Sequence, residues 1–253
     1  MNIEVIILIF FLAFLCEFID SSMGMGYGTI LSPLLIIIGI DPLVVIPSIL
    51  ISQFLSGVSA SLFHNKYENL NLKSWSKDLK IILTISIFGT LASVTAVLVA
   101  ITIPAAILKI YIGLLIFIIG IILISNAGFV FSWKKILVLA LLSSFNKGIS
   151  GGGFGPVITG GQIISGNGYK NSIGCTTFCE AQICFAAFVL YLIMKGIPDS
   201  YIVFPMIIGS VASTPFGPKM TSKINPEKLK LITGIIILIM GVFTIAKTIY
   251  SYY

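Results

Sequence analysis

Apolar residues fill this chain in long blocks separated by short polar stretches. In the first half the blocks run over about 3–22, 29–40, 43–63, 81–101 and 104–125, and in the second over about 133–145, 155–164, 173–194, 201–220 and 229–249. Such blocks read as helices in a bilayer, where a full crossing takes about 20 residues. The second block of the first half is shorter, 12 residues, and at about 1.5 Å per residue it reaches about 18 Å of a core about 30 Å thick. It either draws on the glycine stretch before it or turns back as a re-entrant piece. The pattern predicts an all-α integral membrane protein with glycine-broken or re-entrant helices.

The blocks also repeat. Setting residue n against residue n + 127 aligns Phe18, Gly24, Gly26 and Gly28 with Phe145, Gly151, Gly153 and Gly155, Tyr27 with Phe154, Ile46 with Ile173, and Gln53 with Glu180. The register drifts to 121 near the end, where Gly113 and Gly120 meet Gly234 and Gly241, and Pro104 falls opposite Pro226 with a one-residue slip. The chain therefore reads as two transmembrane repeats, 1–126 and 127–253, a ground plan common among secondary transporters.

Lysine places the loops. Lys66, Lys73, Lys77 and Lys80 crowd the loop after the third block, which the positive-inside rule makes cytoplasmic. Lys219, Lys223, Lys228 and Lys230 crowd the loop after the fourth block of the second half. These loops are not equivalent in the two repeats, so the second repeat must be inverted relative to the first. Lys134, Lys135 and Lys170 then lie inside and Lys109, Lys195 and Lys247 outside, eleven lysines against three, with Lys147 unassigned. Merging the first two blocks of each half into one broken span would put four lysines on the wrong face. Asp41-Pro42 and Asn225-Pro226 each offer an N-cap acceptor followed by a proline suited to the first helical position. Tyr27, Trp75, Trp133, Tyr250 and Tyr253 are candidate interfacial anchors.

Composition removes whole classes of function. Of 253 residues, 57% are hydrophobic and 9% charged, the mean hydropathy is +1.11, and a soluble domain carries about 25% charged residues. Ten spans would use about 200 residues, which leaves no room for a soluble catalytic or nucleic-acid-binding domain. The net charge of +6 is a matter of loop topology, so the expected partner is the lipid bilayer and no nucleic acid. The start, Met1-Asn2-Ile3-Glu4, lacks a basic region, and the first block reads as a transmembrane helix, not a removable signal. Cys16, Cys175, Cys179 and Cys184 sit within apolar blocks as small buried hydrophobes. Cys175 and Cys179 share a helix face, yet no His or Met completes a soft-metal set, so no metal or cofactor is expected. His64, the only histidine, adjoins Asn65-Lys66 at a helix end and reads as interfacial.

Candidate chemistry gathers at two glycine-rich breaks, SSMGMGYGT over residues 21–29 and NKGISGGGFGP over residues 146–156. Lipid cannot satisfy the N–H and C=O groups of irregular backbone, so such stretches line a cavity or are covered by protein. Glycine lets backbone approach a bound group closely, and the helix that follows aims its free N–H donors and positive dipole end at that group. Two such ends converging from inverted repeats would make an anion site from Gly24, Gly26, Gly28, Gly151, Gly152, Gly153 and Gly155. The competing reading is tight helix packing, which suits the scattered Gly113, Gly120, Gly234 and Gly241 better.

Charged residues adjoin the breaks. Glu180 lies near the middle of its block, as its counterpart Gln53 does. An ionised acid at that depth costs about 3 kcal/mol by insertion scales, so Glu180 faces protein and either carries a coupled proton or hydrogen-bonds a neighbouring helix. Asp20 and Lys147 are counterparts just before the breaks. They either neutralise each other across the repeat axis, or Lys147 attracts an anionic substrate while Asp20 is held by the break amides. Glu17, one turn earlier, belongs to the same polar face or to an interface. The expected substrate contacts are thus the seven glycines with Lys147 and Gln53, and the expected proton carriers are Glu180 and Asp20.

The segments FIDSSMGMGYGTILSPLL, from Phe18, and NKGISGGGFGPVITGGQIISG, from Asn146, resemble the two glycine motifs of the TauE/SafE sulfite exporters, or TSUP permeases, and the likeness covers essentially the whole chain. It implies a multi-pass secondary transporter of the cell membrane, an exporter of small organosulfur anions such as sulfite, sulfonates or sulfoacetate, coupled to a proton gradient. Two departures stand out: Gly-Met-Gly-Tyr-Gly replaces consecutive glycines in the first break, and Lys147 stands where that pattern has an uncharged or acidic residue. The two half-sites are therefore expected to contribute unequally. A passive anion channel and an intramembrane enzyme are the rival readings. The enzyme lacks a second histidine or an acid cluster to serve a nucleophile, and no G-x-x-x-x-G-K-[ST] loop is present.

Overall fold

The computed structural model describes residues 3–72, 76–124, 133–164, 167–221 and 226–250. These form eleven helices and no strand: α1 (Ile3–Met23), α2 (Tyr27–Ile38), α3 (Pro42–Lys66), α4 (Lys77–Ala100), α5 (Ala105–Ile124), α6 (Trp133–Ser150), α7 (Phe154–Ile164), α8 (Tyr169–Lys195), α9 (Ser200–Ser213), α10 (Gly217–Met220) and α11 (Pro226–Tyr250). The spans Pro42–Lys66, Lys77–Ala100, Tyr169–Lys195 and Ser200–Met220 are each long and apolar enough to cross a membrane. Large apolar side chains such as Phe11, Leu62, Leu91 and Ile193 clothe the outer surface, as a lipid-facing bundle requires. The all-α membrane architecture read from the sequence is the one observed.

Local chemistry sets several helix starts. Asp41 Oδ1 accepts the Leu43 N–H at 2.7 Å with Pro42 at the first helical position, and Ser76 Oγ accepts the Leu79 N–H at 3.1 Å, so each side chain satisfies an amide that has no partner within its helix. Asn225 lies outside the described residues, as do Trp75, Tyr253 and the repeat boundary at 126/127. One expected block does not form a single helix: residues 201–220 divide into α9 and α10. Pro215 and Pro218 explain the interruption, since each removes an amide donor and crowds the preceding turn.

The halves interleave. α3 packs on α8 and α5 on α11, each element against its own repeat counterpart, while α4 packs chiefly on α6 and α8 just as α9 packs on α1 and α3. Direction follows from the contacts. Gly174, near the start of α8, lies against Asn69 and Leu70 just past the end of α3, and Gly57 of α3 lies against Thr177 and Ala181 of α8. α3 and its counterpart are thus antiparallel, as inverted repeats demand. α1 runs parallel to α9, with Gly209 on Phe10 and Ala13, and α6 runs parallel to α4, with Gly148 on Ser93 and Ala96. Consequently α1 and α2 form a hairpin entering from the end that holds Asp41, and α6 and α7 form one entering from the opposite end.

The lysines sort with these ends. Asn69 Nδ2 donates to Pro218 O at 3.0 Å, and Asp78 Oδ2 accepts from Asn171 Nδ2 at 2.6 Å, which gathers Lys66, Lys77, Lys170 and Lys219 at one end. Lys109 and Lys247 line a small cavity with Gly39 at the other. Because α4 finds its main partners in the second half and α9 in the first, neither half has a complete core. Residues 1–126 expressed alone should aggregate or be degraded, whereas co-expression with residues 127–253 should restore a folded complex, seen as a single fluorescent peak in detergent size-exclusion chromatography.

Candidate functional site

The two hairpin tips meet in the interior. α1 closes with a bond from Gly24 N to Asp20 O at 2.5 Å, and α6 with one from Gly151 N to Lys147 O at 2.9 Å. Irregular backbone is therefore confined to 24–26 and 151–153, less than the sequence predicted, because the polar residues before each break can stay in helical geometry. Asp20 and Lys147 accordingly sit on the last turn of a helix, not in a loop. Gly24, Gly26, Gly151 and Gly153 have φ of 70°, 147°, 74° and 79°, a region in which a β-branched residue at Gly153 would be strained.

The breaks cross backbone to backbone. A Cβ on Gly28 would fall onto the Gly151 carbonyl, one on Gly155 onto the Gly24 carbonyl, and one on Gly152 within 2.8 Å of Gly28. Hydrogen bonds lace the crossing: Gly153 N donates to Thr29 Oγ1 at 3.1 Å, Ser32 Oγ to Ser150 O at 2.8 Å, and Thr159 Oγ1 to Gly24 O at 2.7 Å. The close approach that glycine permits is thus occupied, in this structure, by the other break. The positive end of α2 is met by a side chain of its own hairpin, since Tyr27 N donates to Asp20 Oδ1 at 3.3 Å.

Beside the crossing four polar side chains form a chain. Lys147 Nζ lies 2.8 Å from Glu180 Oε1 and also donates to Gln53 Oε1, and Gln53 Nε2 donates to Asp20 Oδ2 at 3.1 Å. Lys147 is 0% exposed and Glu180 4%. Asp20 and Lys147 do not pair directly, as one sequence reading had it; Gln53 bridges them, and the direct partner of Lys147 is Glu180. The contacts respect the repeat. Asp20 with Gln53 on α1 and α3 is the counterpart of Lys147 with Glu180 on α6 and α8. An acid cluster, which the sequence did not reveal, forms here from positions far apart in the chain.

Other expectations change on burial. His64 is not interfacial but 0% exposed, because Asn69 Nδ2 approaches its Nδ1 at 3.2 Å and also reaches α10. Tyr27 is no interfacial anchor either: it is buried, with its OH 2.7 Å from Ser52 Oγ. Cys175 and Cys179 face backbone carbonyls of α4, Asp78 O at 4.0 Å and Ile82 O at 3.7 Å. Among the described residues no group of three His, Cys, Asp or Glu is placed to hold a metal. The sequence reading missed the buried hydroxyls of Ser52, Ser56, Ser210 and Ser213. The four-residue spacing of Ser48, Ser52 and Ser56 on one face of α3 is the signal that could have found them.

Interleaved helices, half-length helices that begin at midplane breaks, and a buried charge cluster at their crossing are the features of a helical membrane transporter. A family model described as "Sulfite exporter TauE/SafE" matches residues 9–244, and the chain belongs to that family. It is also similar to the "Probable membrane transporter protein YtnM" of Bacillus subtilis (strain 168), 24% identical over 252 residues covering 93% of this chain and 81% of that protein. No solved structure matches the chain.

The crossing makes a sharp contrast between glycines. Gly28→Ala should lower the unfolding temperature in detergent markedly or prevent accumulation, because its methyl group meets backbone that cannot yield. Gly160→Ala, where a Cβ meets nothing within 4 Å, should be neutral or stabilise by about 0.5–1 kcal/mol.

Proposed function

We propose that this transporter moves small organosulfur anions such as sulfite, sulfonates or sulfoacetate across the cell membrane, with Lys147 as the counter-charge and Glu180 as its exchangeable partner. The observation that carries this reading is the buried 2.8 Å pair of Lys147 with Glu180 at the crossing of the two breaks. An anion that displaces Glu180 from Lys147 leaves a carboxylate without a cation in a medium of low dielectric, and a proton on Glu180 removes that charge. Glu180 Oε2 has no hydrogen-bond partner, so it is the oxygen open to that proton. Anion and proton then occupy the site together. Gln53 hands the vacated Lys147 a second ligand, and Asp20 holds Gln53 in place.

A cycle of opening and closing fits better than a channel, because the two breaks touch backbone to backbone and leave no room for a pore between them. The glycines act in this reading as the hinge-free contact that the two hairpins must part to admit substrate. The family and the relative are named for sulfite export and membrane transport, which supports the substrate class. The positive-inside rule supports placing the Lys66 end in the cytoplasm.

Proteoliposomes loaded with sulfite, methanesulfonate or sulfoacetate test the assignment. Glu180→Gln should abolish accumulation driven by a proton gradient yet permit counterflow of a transported anion without a gradient. Normal accumulation with wild-type pH dependence would make Glu180 structural. Removing one partner of a buried ion pair costs about 3–5 kcal/mol, so Lys147→Gln should destabilise the protein strongly. The Lys147→Gln/Glu180→Gln pair should recover thermal stability in detergent while transport stays absent.

A further inference from the structure

One buried acid has no role in the site just described. Glu17 is 1% exposed, and its Oε2 has no hydrogen-bond partner. Its carboxyl faces the Ser56 hydroxyl of α3, and its charged neighbours are Asp20 on its own helix, Lys147 on α6 and Glu180 on α8. The Cys16 and Cys184 thiols and the Tyr27 phenol complete the titratable groups around it. The single cation is already engaged by Glu180 and Gln53. Three carboxyls therefore share one ammonium, and Glu17 is the one with neither a cation nor an amide donor.

A seam of hydroxyls passes Glu17 between α3 and α9 and continues toward the end that carries Lys66. On α3, Ser52, Ser56 and Ser59 recur along one face and cover about 10 Å of helix. α9 answers with Ser210 and Thr214: Ser210 Oγ reaches Ser52 O at 3.5 Å, and Ser59 Oγ lies 2.7 Å from Thr214 Oγ1. Ser213 Oγ is buried and unpartnered, and so is His64 Nε2 farther along α3. In the other repeat the positions equivalent to the α3 serines carry no hydroxyl, although Ser86 Oγ on α4 and Ser144 Oγ on α6 are likewise buried and unpartnered. Adding 127, the counterparts of Ser52, Ser56 and Ser59 are Cys179, Ile183 and Ala186, and that of Glu17 is Ser144.

We propose that Glu17 is the group through which the buried cluster exchanges protons with the Lys66 end of the molecule, along the hydroxyl seam between α1, α3 and α9. The proposal rests on the transporter reading for its purpose but not for its test. Buried polar atoms without protein partners in a bilayer are met by water or carry function, and here Glu17, Ser213 and His64 supply three of them along one seam. A proton arriving by this route binds Glu17 Oε2 and forms a neutral carboxyl; leaving by the same route, it restores the carboxylate. Glu180 cannot do this in the state shown without breaking its ion pair, whereas Glu17 can. The charge brought by a substrate anion is then balanced by a proton already inside the cluster.

Two measurements decide the matter. Infrared spectra of the purified protein in liposomes should show the carbonyl band of a protonated carboxyl that responds to bulk pH, loses one carboxyl's intensity in Glu17→Gln and keeps it in Glu180→Gln. Ser213→Cys should react with a charged methanethiosulfonate only from the membrane side that carries a tag in the 67–76 loop, while Ala92→Cys, its counterpart at an offset of 121, should not react from that side. The protein with its native cysteines serves as the blank. A band unchanged in Glu17→Gln, or a Ser213→Cys that is inert from both sides or reacts only from the opposite one, would overturn the proposal. A protein that passes both tests but moves no organosulfur anion would overturn the substrate reading alone.

Discussion

Everything in this molecule is arranged around backbone that cannot be left bare. At two points the chain stops being helical in the interior of the bundle, where no water is at hand for the freed N–H and C=O groups. The solution is reciprocal: the break of one hairpin covers the break of the other, with Thr29, Ser32 and Thr159 supplying side-chain bonds across the joint. Side chains larger than hydrogen are excluded from Gly28 and Gly155 by the opposite backbone. Once the tips are fixed, the last helical turns before them bring Asp20 and Lys147 to the same place, and α3 and α8 must pass alongside with Gln53 and Glu180. The charge cluster is thus a by-product of the joint as much as a feature of its own.

The interleaved packing has the same origin. A hairpin that enters from one end reaches only partway and leaves its flanks to the long helices of the other half, which is why α1 lies on α9 and α6 on α4. The proline-broken end of α9 breaks the correspondence. Its short α10 sits against Ser21 and Asn69, whereas α4 continues straight, so the two hairpin tips are not sealed alike.

Much of this was legible beforehand. The block pattern placed the helices closely, since apolar stretches bounded by Asp41-Pro42 or by glycine leave little choice of register, and lysine placement agreed with the antiparallel α3 and α8. The offset of 127 already paired Gln53 with Glu180 and Asp20 with Lys147. What it could not show was which member touches which, because an offset gives equivalence and not contact; Gln53 as a bridge follows only from side-chain reach. His64 and Tyr27 were misplaced for a similar reason. Their burial depends on Asn69, α10 and Ser52, partners supplied by other segments. The stretch of residues 146–150 looked like loop by composition yet stays helical, since glycine and serine are merely poor helix formers and tertiary contact overrides that preference.

The mismatch between counterpart residues in the four-membered chain has an arithmetical consequence. Two identical halves related by a twofold axis can place only an even number of charges at that axis: the first half doubled would give two aspartates with two glutamines, and the second doubled two lysines with two glutamates. Fusion of unlike halves gives Asp20, Gln53, Lys147 and Glu180, which in fully ionised form sum to one negative charge. An odd sum is open only to an asymmetric duplication, and it lets this four-membered chain, counted apart from the neighbouring Glu17, reach neutrality by taking up a single monovalent cation.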